Sequence, residues 1–138
     1  MNRNIQTFLG CDAEFDDAAV VLFGAPFDCT TSFRPGARFG PGAMRADSIG
    51  IETYSPYQDR DLSELSVCDA GDLELPFGSP ARALDIIART ARDIIKRGKK
   101  PFMLGGEHLV TLGAVIAALE HYPDLHILHL DAHTDLRQ

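Results

Sequence analysis

The sequence predicts an α/β fold built on a parallel sheet, and three observations carry that prediction. Short apolar runs alternate with two longer segments of helical periodicity. The spacing strand, helix, strand, helix, strand suits parallel strands joined by right-handed crossovers. The residues with chemical potential, Asp28, Asp72, His108 and the run from Asp131, all follow apolar runs. In parallel sheets, function gathers beyond the carboxyl ends of the strands.

Taken in order, residues 18–27 read AAVVLFGAPF, a short, partly β-branched run that ends in Gly-Ala-Pro and predicts a buried strand. In the following stretch, glycines and prolines at 35, 36, 40, 41 and 42 break both regular patterns. A short helix is expected over 41–49, because proline is tolerated in a first helical turn. Residues 55–64 are polar and loop-like, and 66–73 predict a second strand ending in an acidic turn. Ser79 is a plausible N-cap with Pro80 at the first helical position. Leu84, Ile87, Ala88, Ala91, Ile94 and Ile95 recur at steps of three and four, which is one face of a helix. Lys96 and Arg97 complement its dipole, and Gly98 is a natural stop. A third strand is expected over 101–104, closed by Gly105-Gly106. A second long helix follows over 110–121, with Leu112, Val115, Ile116 and Leu119 on one face and Pro123 beyond its end. Residues 125–130, LHILHL, read as a fourth strand.

With 138 residues, 45% of them apolar, the chain is long enough for one ordinary domain with a core. Its 13 basic and 20 acidic residues give a net charge of -7, which argues against nucleic acid as a partner and weakly favours a cationic small molecule. Cys11, Cys29 and Cys68 are odd in number, and no two have metal-ligand or redox-pair spacing, so reduced thiols are expected. Neither a signal-peptide run in the first 17 residues nor a membrane-length apolar stretch of ~20 residues is present. The expected setting is therefore cytoplasmic.

The strongest chemical signal is Asp131-Ala132-His133-Thr134-Asp135. Three potential ligands alternate with small residues after an apolar run. In extended backbone such alternation would turn 131, 133 and 135 to one side. Carboxylate plus imidazole is an oxygen and nitrogen set that suits manganese, and less specifically zinc or iron. The bland alternative is a solvated acidic loop. Gly105-Gly106-Glu107-His108 is the second signal, since paired glycines allow close backbone approach and place His108 at the mouth of the third strand. A lone histidine there is more often a satisfied loop residue, and its pairing with the later cluster changes that balance. Arg34, Arg38 and Arg45 are expected to pair with local carboxylates, because a cationic substrate would not seek them. His121 suits a helix end, and His126 and His129 are expected to bond neighbouring groups.

In order, GAPFDCTTSFRPGARFGPGAMR, YSPYQDRDL, DAGDL, GGEHLVT and DAHTDLR resemble the arginase/agmatinase ureohydrolase family, on its bacterial agmatinase side. The resemblance covers residues 18–137, and GGEH followed by DAHTD is highly specific as a pair. It implies a three-layer α/β/α fold of the arginase/deacetylase type, with two Mn2+ ions at the strand ends. It implies His108 and Asp135 on one ion, His133 on the other and Asp131 bridging both. The implied reaction is hydrolysis of a cationic guanidino compound by metal-activated water, agmatine giving urea and putrescine for polyamine biosynthesis. Arginase, guanidinobutyrase and formimidoylglutamase activities remain within the same class. Zinc deacetylases share the broad fold, but their metal motif is shorter.

Family members are roughly twice this long. The resemblance therefore implies that residues 1–138 are the amino-terminal portion of one ureohydrolase domain. The family's acid–base residues would lie beyond Gln138. It also implies strands between the third and the fourth that this stretch does not contain, leaving open backbone edges and exposed apolar faces. A truncated, catalytically silent metal-binding or assembly module is the alternative from another class. Trimers or hexamers are expected of the family.

Overall fold

The structure, a computed structural model, describes residues 6–135. In chain order the elements are β1 (Val20–Ala25), α1 (Gly40–Ser48), β2 (Tyr54–Ser55), β3 (Arg60–Asp61), β4 (Val67–Asp72), α2 (Pro80–Lys96), β5 (Lys100–Gly105) and α3 (Val110–His121). The main sheet runs β4-β1-β5, with β1 parallel to both neighbours. All three strands therefore end at the same edge, and Asp28, Asp72 and His108 follow or close them there.

Period-two alternation along β1 sends its side chains to opposite sides of the sheet. Val21, Phe23 and Ala25 pack with Ala83, Ile87 and Ile94 of α2 in the larger core. Leu22 joins Cys11, Val67 and Leu104 in a smaller cluster on the other side. Asp69 stands level with Leu22 in the register of β4. Arg45 of α1 binds Asp69, so α1 and the amino-terminal segment cover the face opposite α2. That is the layered α/β/α arrangement, here with three main strands among the described residues.

Buried Arg45 donates to both Asp69 oxygens, from Nε at 2.7 Å and Nη2 at 2.9 Å, while Nη1 reaches Asp72 at 2.5 Å. Asp69 also accepts the backbone N–H groups of Phe8 and Gly71. Burial alone would raise the Asp69 pKa. The Arg45 hydrogen bonds and those two N–H donors outweigh it, and the carboxyl lies below its ordinary value. Gly24 makes the arrangement possible, because a Cβ there would stand 1.8 Å from Asp72 Oδ1. The arginine is paired as expected, but not locally: its carboxylates come from a distant strand. Arg38 does pair nearby, with Asp28, whereas the Arg34 guanidinium lies over its neighbour Phe33 at 5.1 Å.

Three expectations are corrected. Residues 125–130 form no strand; Ile127, Leu128 and Leu130 are 62%, 86% and 88% exposed. A strand needs an edge to pair with, and these residues pair with none of the described strands. The outer edge of β5 is likewise unpaired among the described residues, and Phe102 is exposed. Secondly, α3 has the expected bounds but buries a different face. Val110, Gly113 and Ala117 turn inward, while Leu112, Ile116 and Leu119 are exposed. Gly113 decides this by close approach: a Cβ would meet Ile87 Cγ2 and Leu84 O of α2, each at 2.9 Å. Thirdly, the polar stretch 55–64 is not wholly irregular. Ser55 pairs with Arg60 and Tyr54 with Asp61 in the β2–β3 ribbon, which is followed by a one-turn 3-10 helix capped by Asp61 and Glu64.

The other elements fall close to expectation. In α2, Leu84 is only half-buried and Ala83 is buried in addition to the expected face. Ser79 holds the N-cap position without a side-chain cap bond. No disulfide joins Cys11, Cys29 or Cys68, and burial, followed by the Asp69 charge, pushes the Cys11 thiol up to about 11. No helix among the described residues is long and apolar enough to cross a membrane. Arg3 of the amino-terminal stretch lies outside the described residues, as do Leu136 and Arg137 of the last motif.

Arg45→Met should cost about 3–5 kcal/mol in urea unfolding, because it leaves Asp69 buried without its counter-charge. The folded Asp69 pKa lies below the unfolded one. Its contribution is therefore present above the unfolded carboxyl value of about 3.9 and is lost as pH falls through the folded value. Acid titration of unfolding should show that loss in the wild type and not in Arg45→Met.

Candidate metal centre

Gly105 and Gly106 carry the chain out of β5 against the segment that leaves β1. A Cβ on Gly106 would stand 2.1 Å from Phe27 O and 2.8 Å from Phe27 N, so only glycine permits this approach. Glu107 N–H then donates to Phe27 O at 2.8 Å. His108 follows, exposed at the strand tip.

The segment after α3 returns to this tip. His108 Nδ1 bonds Asp135 Oδ2, and His108 Nε2 lies 3.7 Å from Asp131 Oδ2. One ligand atom from each of His108, Asp131 and Asp135 lies within 4.8 Å of the others. His133 is beside this group rather than in it. Its Nδ1 lies 3.6 Å from Asp131 Oδ1, and its backbone N–H donates to that oxygen at 2.8 Å. Asp131 and Asp135 thus meet at His108, Asp135 from a left-handed backbone at φ 53°.

The hydrogen bond that His108 donates to Asp135, and then the Asp135 charge, raise the His108 pKa. For Asp131, the His133 N–H is the main influence and lowers the pKa; partial burial opposes it, and the nearby histidines assist. A histidine drawn toward its protonated form by two carboxylates is an electrostatic arrangement that a divalent cation can take over from the proton. The donor set, imidazole nitrogen with carboxylate oxygens and no thiolate, fits manganese chemistry.

The remaining aspartate candidates have structural partners. Asp28, buried, accepts Gly36 N–H at 2.6 Å and pairs with Arg38 at 3.1 Å. Burial works against its ionisation, and those donors overcome it, so its pKa is lowered. Asp72 is held by Arg45. His129 bonds the His133 carbonyl oxygen, and His121 packs edge-on against Tyr122. His126, unlike Asp131 and Asp135, is not in the cluster around His108. Sequence reasoning missed Asp69, although an aspartate set among Val67, Cys68 and Ala70 is the mark of a buried ion pair. It also missed the pairing of Glu107 with Thr30, which no spacing rule reveals.

A parallel α/β sheet carrying a histidine–carboxylate cluster at its carboxyl edge defines a class of metal-site α/β proteins. Within it, the chain belongs to the arginase family, whose model matches residues 18–138. Over 132 residues it is 51% identical to the agmatinase of Bacillus subtilis (strain 168), a match that covers 96% of this chain and 46% of that protein. A crystal structure from Clostridium difficile, assigned as an agmatinase, superposes with a TM-score of 0.86 at 48% identity, covering 90% of this chain and 45% of that one. The Trypanosoma cruzi formiminoglutamase crystallised with Mn2+ superposes with a TM-score of 0.78 at 28% identity, covering 90% of this chain and 43% of that one. The chain thus spans about half the length of the relatives it matches.

Gly106→Ala should lower stability by about 1–3 kcal/mol, since the Phe27 backbone has no flexible side chain to yield. Amide exchange at Glu107 should quicken in the same variant as its bond to Phe27 O lengthens. Wild-type protection at that amide would refute the close-approach argument.

Proposed function

We propose that this chain forms part of a manganese-dependent ureohydrolase that hydrolyses agmatine to urea and putrescine. One observation carries the reading: His108, at the tip of β5, meets Asp131 and Asp135 from a separate segment. The 51% identity to an agmatinase supports the substrate class.

In this reading His108 and Asp135 would hold one manganese and His133 the other, and Asp131 would serve both. When bound, manganese supplies the Lewis acidity that makes water nucleophilic near neutral pH. The chain's own task is to present the ligands unprotonated. His108 must release its proton to the solvent, and Asp131 is kept ionised by the His133 N–H. No residue of this chain is proposed as the catalytic acid or base. The net charge of -7 favours approach of a cationic substrate in a general way. A cytoplasmic setting and a homo-oligomer, trimer or hexamer, belong to the same proposal.

Urea release from agmatine by the whole protein should require manganese and disappear on chelation. Turnover of arginine or guanidinobutyrate without agmatine would reject the substrate while keeping the class. A protein that binds manganese and releases no urea from any of the three would instead be the silent metal-binding module.

His133→Ala should weaken manganese loading, followed by calorimetry, far more than His126→Ala does. Equal losses would remove His133 from the ligand set. Because the His108 pKa is raised, its proton competes with the metal up to a higher pH than an ordinary histidine would allow. Manganese affinity should therefore be full above that raised value and fall as pH drops through it.

A further inference from the structure

Glu107 is a carboxylate one residue before His108, yet it is absent from the cluster that converges on that histidine. Both of its oxygens are committed elsewhere. Oε1 accepts the Thr30 backbone N–H at 2.9 Å, and Oε2 accepts the Thr30 hydroxyl at 2.7 Å. With the Glu107 N–H bond to Phe27 O, three hydrogen bonds join the tip of β5 to the chain leaving β1. Two residues before Thr30, Asp28 holds Gly36 and Arg38. The segment 30–36 is pinned at both ends, and between the pins Ser32, Phe33 and Arg34 are exposed, with Arg34 at φ 49°. A segment held this way has already lost the freedom that a mobile loop would lose on binding.

Resting on the ureohydrolase reading, we propose that Glu107 is a positioning residue which, through Thr30, holds segment 30–36 as a fixed wall beside the His108 cluster and so orients the guanidino substrate. Glu107 touches neither metal nor substrate; it acts through Thr30. Its length matters, because an aspartate would fall one methylene short of these contacts. Glutamine would preserve them: its amide oxygen accepts the Thr30 N–H, and its NH2 donates to the Thr30 oxygen, whose hydroxyl is free to rotate. A purely structural tie would affect stability alone. A positioning role affects substrate binding more than it affects the chemical step.

The test is steady-state urea release from agmatine by the whole protein loaded with manganese, for wild type, Glu107→Ala, Glu107→Gln, Thr30→Val and Thr30→Ser. Glu107→Ala should raise KM about tenfold and change kcat by less than about threefold, in line with the loss of charge-assisted hydrogen bonds. Glu107→Gln should stay near wild type, and manganese affinity should be unchanged in both. An unchanged KM in Glu107→Ala overturns the proposal. A joint loss of kcat and manganese at constant KM also overturns it, by making Glu107 a support of the metal site. If Glu107→Ala does not fold, Thr30→Val decides: a KM above that of Thr30→Ser, which keeps the hydroxyl, supports the wall, and an equal KM overturns it. A wild type that releases no urea rejects the ureohydrolase reading and this proposal with it, whereas wild-type turnover with an unaltered variant KM rejects the wall alone.

Discussion

The buried ion pair between Arg45 and Asp69 is the constraint on which the rest of the structure depends. It joins α1 to β4, takes in the amino-terminal segment through Phe8 N–H, and reaches Asp72 at the strand's end. Two charges removed from water are tolerable only if each is fully satisfied. Here Asp69 accepts four hydrogen bonds and Arg45 donates to two carboxylates. Satisfying that geometry fixes α1 over the sheet. The glycine at position 24 is then obligatory, because Asp72 occupies the space a side chain would need.

From this frame follows the placement of the site. Parallel pairing of β1 with β4 and β5 brings three strand ends to one edge. The chain leaving β1 and the chain leaving β5 then meet so closely that Gly106 has no room for a methyl group. Charged residues at this edge divide by partnership. Asp28 and Asp72 face arginines and serve the scaffold, whereas Asp131 and Asp135 face an imidazole and form a set suited to a divalent cation. The same residue type does two different jobs, decided by which cation lies opposite.

The uncovered surfaces have a physical reading as well. Helix α3 is apolar on most of its circumference, so a single neighbour cannot cover it. It packs its small residues on α2 and leaves Leu112, Ile116 and Leu119 exposed. Residues 125–130 have strand composition without a strand partner among the described residues. Both features fit a chain that spans about half of the relatives it matches.

Local pattern made much of this legible. The positions of β1, β4, β5, α2 and α3, the parallel sheet, and the four residues His108, Asp131, His133 and Asp135 as candidates follow from periodicity, glycine and proline punctuation, and motif resemblance. These are short-range properties that a chain carries wherever it folds. What only the tertiary structure decided was pairing. It determined that Arg45 reaches Asp69 rather than a nearby carboxylate, that α3 buries its glycine–alanine face, that residues 125–130 stay unpaired, and that Asp131 and Asp135 but not His133 close on His108. Each outcome turns on contacts between residues far apart in the chain. Burial, close approach and the backbone turn at Asp135 set those distances, and a one-dimensional pattern of residue types does not encode them.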